Sequence, residues 1–195
     1  MGKIIPRWEW RTFGDDLKDG ISAIQAYPEG KVRESAEIYI LSEKSNDNTK
    51  IRDELMDIKT LIRVNQDGLE QWTPILKAGF PIHITDLAVV YKAFNIPLPY
   101  LEKDEYTYEE YLNMLINPNH ALHPVNVVKE RHGYTIDECI VEIAYVKFNN
   151  MPHQTIAVEH ANPELVIKTV KKLGLDRYEN INYIKAMKQQ LGLSY

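Results

Sequence analysis

Charged and apolar residues alternate along several short stretches of this chain. Arg7-x-Glu9-x-Arg11, Lys50-x-Arg52, Asp57-x-Lys59, Lys129-x-Arg131 and Glu138-x-x-x-Glu142 carry the charges, while Trp8, Trp10, Ile51, Ile58, Val128, Val141 and Ile143 lie between or beside them. Side chains two apart on a strand share a face, so these segments predict strands with one ionic and one apolar face. Alternation does not say which face is enclosed. Charged faces turned to solvent around an ordinary core are the commoner arrangement in antiparallel sheets, and a barrel with a charged lumen is the alternative.

The remaining pattern orders the elements. A strand from about Ile4 to Phe13 is followed by Leu17, Ile21 and Ile24 at helical spacing, ending near Tyr27-Pro28. Strands are predicted over Arg33–Ser42, Lys50–Leu55, Met56–Val64 and Leu69–Leu76, with turns at Ser45–Asn48 and Asn65–Gly68, an antiparallel meander. Thr85 is placed to cap a helix carrying Leu87, Val90, Tyr91 and Phe94, and Thr107-x-x-Glu110 is a capping box that opens another, stopped at Asn117-Pro118. Val125–Ile136, Glu138–Phe148 and Gln154–Ala161 read as three more strands. Asn162-Pro163 opens a helix with Gly174 beyond its end, and Asn180–Leu191 reads as a last helix. The expectation is α+β: eight strands, four or five helices and a single domain over residues 1–195.

Composition narrows the partners. With 23 basic and 28 acidic residues the net charge is −5, which argues against broad nucleic-acid binding and against a basic membrane-surface protein. No apolar run approaches a bilayer span, the N-terminus has no apolar leader, and Pro6 stands where a myristoylation signal would want Ser or Thr, so a cytoplasmic protein is expected. One cysteine, Cys139, precludes an intrachain disulfide and reads as a small buried hydrophobe.

If the charged faces point inward, they bring together Arg7, Arg11, Lys50, Arg52, Lys59, Lys129 and Arg131 with Glu9, Glu37, Asp57, Glu138, Glu142 and Glu159. Such a lumen must be hydrated, internally paired, or filled by a multiply charged ligand, because an unpaired buried charge is costly. Cations in excess suit a polyanion, with forked guanidinium donors for phosphate oxygens and carboxylates for Mg²⁺ or Mn²⁺.

The order of these motifs resembles the CYTH superfamily, the triphosphate tunnel metalloenzymes, over nearly the whole chain. Arg7-Trp-Glu-Trp-Arg11 sits where that family has its opening Glu-x-Glu-x-Lys strand. Lys50-Ile-Arg52, Met56-Asp-Ile-Lys59, Val128-Lys-Glu-Arg-His-Gly-Tyr134 and Thr155-Ile-Ala-Val-Glu159 are similar to its later basic and acidic strands. Asn180-Ile-Asn-Tyr183 looks like its short C-terminal helix signature. The resemblance implies an eight-stranded antiparallel β-barrel, a tunnel with helices packed outside. It implies a small-molecule triphosphate or polyphosphate held by Arg11, Lys50, Arg52, Lys59, Lys129 and Arg131, and Mg²⁺ or Mn²⁺ held by Glu9, Glu142 and Glu159. Glu9, Glu159 and Lys59 form the implied catalytic set. The expected reaction is hydrolysis of the terminal phosphoanhydride; the alternatives are cyclisation of ATP and a non-catalytic polyphosphate- or nucleotide-binding module. Arg7 replaces the first glutamate of the opening motif, Arg11 its lysine, and Ala157 stands where the last strand often has a second glutamate, changes that weaken a two-metal site.

Other patterns carry less. His120-x-x-His123 has no third ligand nearby and reads as solvent-exposed. Trp8 and Trp10 read as packing beneath helices, and Lys168, Lys171, Lys172, Lys185 and Lys188 as a solvated face of the terminal helices.

Overall fold

A computed structural model of the protein describes residues 6–195, so Ile4 and Ile5 of the predicted first strand lie outside the described residues. The chain begins with β1 (Trp8–Gly14), α1 (Lys18–Gln25), β2 (Glu29–Ser42), β3 (Asn48–Arg52), β4 (Leu55–Val64) and β5 (Glu70–Gly79). It continues through β6 (Ile82–His83), α2 (Ile84–Phe94), β7 (Glu105–Tyr106) and α3 (Tyr108–Glu110), which runs on as a π-helical segment, Tyr111–Ile116. β8 (Leu122–Ile136), β9 (Cys139–Phe148), β10 (Met151–His160), α4 (Pro163–Lys172) and α5 (Tyr183–Leu191) complete it.

Eight strands close into an antiparallel barrel in the order β1-β10-β9-β8-β2-β3-β4-β5, and the expected α+β barrel is present. The small β6–β7 ladder, Ile82 opposite Tyr106, is an addition that the pattern did not predict. Three tight hairpins turn on residue pairs with positive φ: Asp53-Glu54 (52° and 53°), Asp137-Glu138 (48° and 67°) and Asn149-Asn150 (47° and 70°). Two successive left-handed residues match the right-handed twist of the flanking strands, which explains why these loops need only two residues.

Helix ends follow side-chain chemistry. The Thr107–Glu110 box forms in both directions, at 3.2 and 3.1 Å. Asn162 caps α4 by accepting from the Glu164 amide at 2.9 Å, and Gly174 follows in the left-handed conformation at φ 66°. The cap of α2 is His83 rather than Thr85: Nδ1 of His83 accepts from the Thr85 amide at 3.2 Å. The last helix begins at Tyr183, three residues later than predicted.

The described chain forms two compact interleaved units. The first holds the residues up to Ser35, Leu61–Thr73 and Val128–Asn182; the second holds Ala36–Thr60, Pro74–Val127 and Tyr183–Tyr195. In the first, Trp8, Trp10, Val141, Ile143, Ile156 and Val158 of the strands pack with Ile21 and Ile24 of α1 and Val166 and Val170 of α4. Gly20 lets α1 sit this close, since a Cβ there would fall 2.6 Å from a Leu175 methyl. In the second, Ile40, Ile51, Met56 and Ile58 pack with Leu87, Val90, Tyr91 and Phe94 of α2 and with Tyr111 and Leu115. The apolar face of each strand set is thus the helix-covered one, and the alternating charged residues project from the opposite face, into the barrel.

Two expectations fail in instructive ways. Val128, expected on the apolar face, is 52% exposed, and Lys129 on the other face of β8 is buried. Lys188 is 1% exposed rather than solvated; its Nζ donates to the Ser45 carbonyl at 3.0 Å and to Asn46 Oδ1 at 2.6 Å. Cys139 is fully buried as expected, its sulfur accepting from the Thr169 hydroxyl. Among the described residues no helix is long and apolar enough to cross a membrane.

Candidate functional site

Register places the charged side chains of the first unit. Glu9 faces Glu159 across the β1–β10 ladder, and Arg11 faces Ala157, which in turn faces Glu142 on β9. Like charges directly opposite each other repel. The Arg11 guanidinium supplies the counter-charge: Nε donates to Glu9 Oε1 at 2.7 Å, and Nη1 reaches Thr155 Oγ1 at 3.2 Å and Glu142 Oε1 at 3.5 Å. Ala157 presents only a methyl, which leaves Arg11 room to reach β9. Arg7, more exposed, stands 3.7 Å from Glu159. Burial, the facing Glu9 and the nearby Glu142 push the Glu159 carboxyl up to about 7, against the opposing pull of Arg11 and Arg7.

The segment before α5 tethers this cluster. Asn180 Oδ1 accepts from the Arg11 amide at 2.9 Å, the Ile181 amide donates to the Arg11 carbonyl, and Asn182 Nδ2 donates to the Glu70 carboxylate at 2.9 and 3.1 Å. These commitments keep Asn180–Asn182 out of the helix predicted there.

A cavity of about 700 Å³ opens in the same unit. Lys31 and Arg33 of β2, Arg131 of β8 and Glu142 of β9 supply its charges, with Glu29 and Tyr134 on its wall. Its volume suits a small-molecule ligand, for which sites of about 300–1,000 Å³ are usual. The Arg131 Nε is buried and has no hydrogen-bond partner among the described residues. Gly30 and Gly133 allow the two strands to meet beside it, since a Cβ on Gly30 would fall 2.9 Å from the Gly133 carbonyl oxygen. Glu29 accepts from the Tyr134 hydroxyl at 3.1 Å and pairs with His132 Nδ1 at 2.7 Å, while His132 Nε2 meets Glu130 at 2.8 Å.

The second unit gathers Lys50 and Arg52 of β3 around Glu37 of β2, with Nζ at 3.9 Å and Nη1 at 3.5 Å from its fully buried carboxylate. Asp57 is the cross-strand partner of Lys50, and Lys59 that of Asn48. Burial lowers the Lys50 pKa, with Glu37 and Asp57 opposing the shift. One Asp57 oxygen is buried without a hydrogen-bond partner among the described residues.

The structure therefore brings Glu9, Arg11, Glu142 and Glu159 together, puts Arg131 in the cavity, and groups Lys50, Arg52 and Lys59 in the other unit. Lys129 is buried on the same face of β8 as Arg131 but does not line the cavity. Glu138 occupies the exposed hairpin turn and does not join Glu142. Lys31 and Arg33 were missed, although they continue toward the N-terminus the period-two face that carries Glu37.

A hard divalent ion needs several oxygen ligands converging on one point. Among the described residues no three His, Cys, Asp or Glu side chains are placed to hold one. Glu9 and Glu142 instead direct oxygens at Arg11, so the donor set does not fit the metal that the family resemblance implies.

No protein-family model and no curated protein matches the chain. Solved structures do. A candidate adenylyl cyclase of Hippeastrum, described as having a dominant triphosphatase activity, aligns over 97% of each chain at 10% identity with a TM-score of 0.52. A candidate adenylate cyclase of Bacillus halodurans aligns over 95% of this chain and 98% of its own at 15% identity and TM-score 0.51. A conserved hypothetical protein of Pyrococcus furiosus aligns over 91% and 98% at 12% identity and TM-score 0.51. At these identities the likeness is one of fold.

Proposed function

We propose that this chain, a divergent CYTH-like barrel, binds the triphosphate arm of a small molecule in its cation-lined cavity and hydrolyses the terminal phosphoanhydride. The observation that carries the reading is that Lys31, Arg33 and Arg131 line one cavity, with a buried Arg131 donor that has no hydrogen-bond partner among the described residues. Arg131 suits forked donation to phosphate oxygens, and Lys31 and Arg33 add charge that stabilises a departing phosphate. The fold shared with a protein of dominant triphosphatase activity supports the choice of reaction.

One observation favours a second reading, binding without turnover: Arg11 occupies the oxygens of Glu9 and Glu142. Phosphate release from inorganic tripolyphosphate, thiamine triphosphate and ATP separates the two. Release that Arg131→Ala abolishes supports hydrolysis, and tight binding with no release supports the binding module. Cyclic AMP formed from ATP would indicate cyclisation instead. A protein that neither binds nor cleaves any of the three is not a triphosphate protein.

A further inference from the structure

We propose that Arg11 is the resident counter-ion of the Glu9, Glu142 and Glu159 group, standing where a divalent ion would otherwise gather those carboxylates, so that the barrel holds a polyphosphate without a divalent metal. The inference rests on the triphosphate reading above and specifies the ionic form of the ligand.

The geometry is that of a fixed site. The Arg11 side chain is 6% exposed and reaches two carboxylates and a hydroxyl contributed by three strands. Its backbone is held as well, the amide by Asn180 and the carbonyl by Ile181. A guanidinium keeps its proton at any ordinary pH, so this counter-ion neither titrates away nor exchanges as a bound metal does. The Glu9 lone pair that a metal would use points at Nε at 2.7 Å, within charge-assisted hydrogen-bond range. Admitting a divalent ion requires expelling a buried guanidinium from its partners, which leaves that charge unpaired. Neutralising the bound polyanion then falls to Lys31, Arg33 and Arg131, on other strands of the same unit.

Calorimetric titration of metal-stripped protein with inorganic tripolyphosphate, in EDTA and separately in excess Mg²⁺, tests this together with Mn²⁺ titration of unliganded protein followed by electron paramagnetic resonance. Affinity in EDTA is expected to equal or exceed that in Mg²⁺, because Mg²⁺ competes for the free ligand. Unliganded protein is expected to show no Mn²⁺ site tighter than ~1 mM, whereas Arg11→Gln, confirmed folded by circular dichroism, gains one. A loss of ~10-fold or more in tripolyphosphate affinity on removing Mg²⁺ overturns the inference and leaves the triphosphate reading standing. A sub-millimolar Mn²⁺ site in the parent, or no gain in folded Arg11→Gln, overturns it equally. Absence of tripolyphosphate binding in both buffers overturns the triphosphate reading, and the Mn²⁺ titration still decides the role of Arg11. Should Arg11→Gln not fold, the two measurements on the parent protein suffice.

Discussion

Arg11 and Ala157 are direct partners across the β1–β10 ladder, and the small side chain of the second makes room for the large one of the first. Ala157 is 1% exposed and lies between Arg11 and Glu142 in the ladder, so a larger side chain would crowd their contact. Ala157→Leu is expected to lower stability by ~1–3 kcal/mol through overpacking. Urea unfolding measures it, and an unchanged midpoint would show that the register places Arg11 elsewhere.

Glu159 supplies a pH dependence with a definite sign. Its folded pKa is raised from 4.5 to about 7, so across that window the folded protein holds a proton that the unfolded chain has released. Stability from this group therefore falls as pH rises from about 4.5 to about 7, and is level above. Glu159→Gln keeps the shape without the charge. It is expected to exceed the parent by ~1–2 kcal/mol at pH 8 and to match it near pH 4, as read from unfolding midpoints. A constant difference at both pH values would mean that the carboxyl is not perturbed in this way.

Lys31, Arg33 and Arg131 are expected to act as a group on anion binding. Arg131→Ala should weaken tripolyphosphate binding ~10-fold or more, and Arg33→Ala less, because its side chain is more solvated. Raising salt should narrow the difference between parent and variants. Equal affinities for all three proteins would remove the cavity from the site.

Lys188 is a buried amine with two acceptors rather than a surface charge. Lys188→Met keeps much of the packing but leaves the Ser45 carbonyl and Asn46 Oδ1 without this donor, and should cost ~1–3 kcal/mol. A neutral result in thermal or urea unfolding would mean that other groups satisfy those oxygens.

Much of this was legible in the residues themselves. Period two at Glu9–Arg11, Lys50–Arg52 and Asp57–Lys59 marked the strands, and the apolar stripe Leu17, Ile21, Ile24 marked α1, because each pattern follows directly from backbone geometry. The capping box at Thr107 was legible for the same reason: its partners are three residues apart. Arg11's reach to Glu142 was not, since it depends on register across two ladders, which alternation leaves open. The turn at Asp53-Glu54 was also obscured, because Glu54 is unusual at positive φ, whereas Asp137 and Asn149-Asn150 stood out as breaks between strands. Lys31 and Arg33 went unread because the extra length of β2 carries little apolar pattern: Glu29–Glu34 is exposed throughout.

The greasy layer of each unit lies between its strands and its helices, with Trp8, Trp10 and Ile156 in the first and Ile51, Met56 and Tyr91 in the second. The ionic side chains of these strands point away from that layer, so exchanging one cation for another need not disturb how the helices seat on the strands.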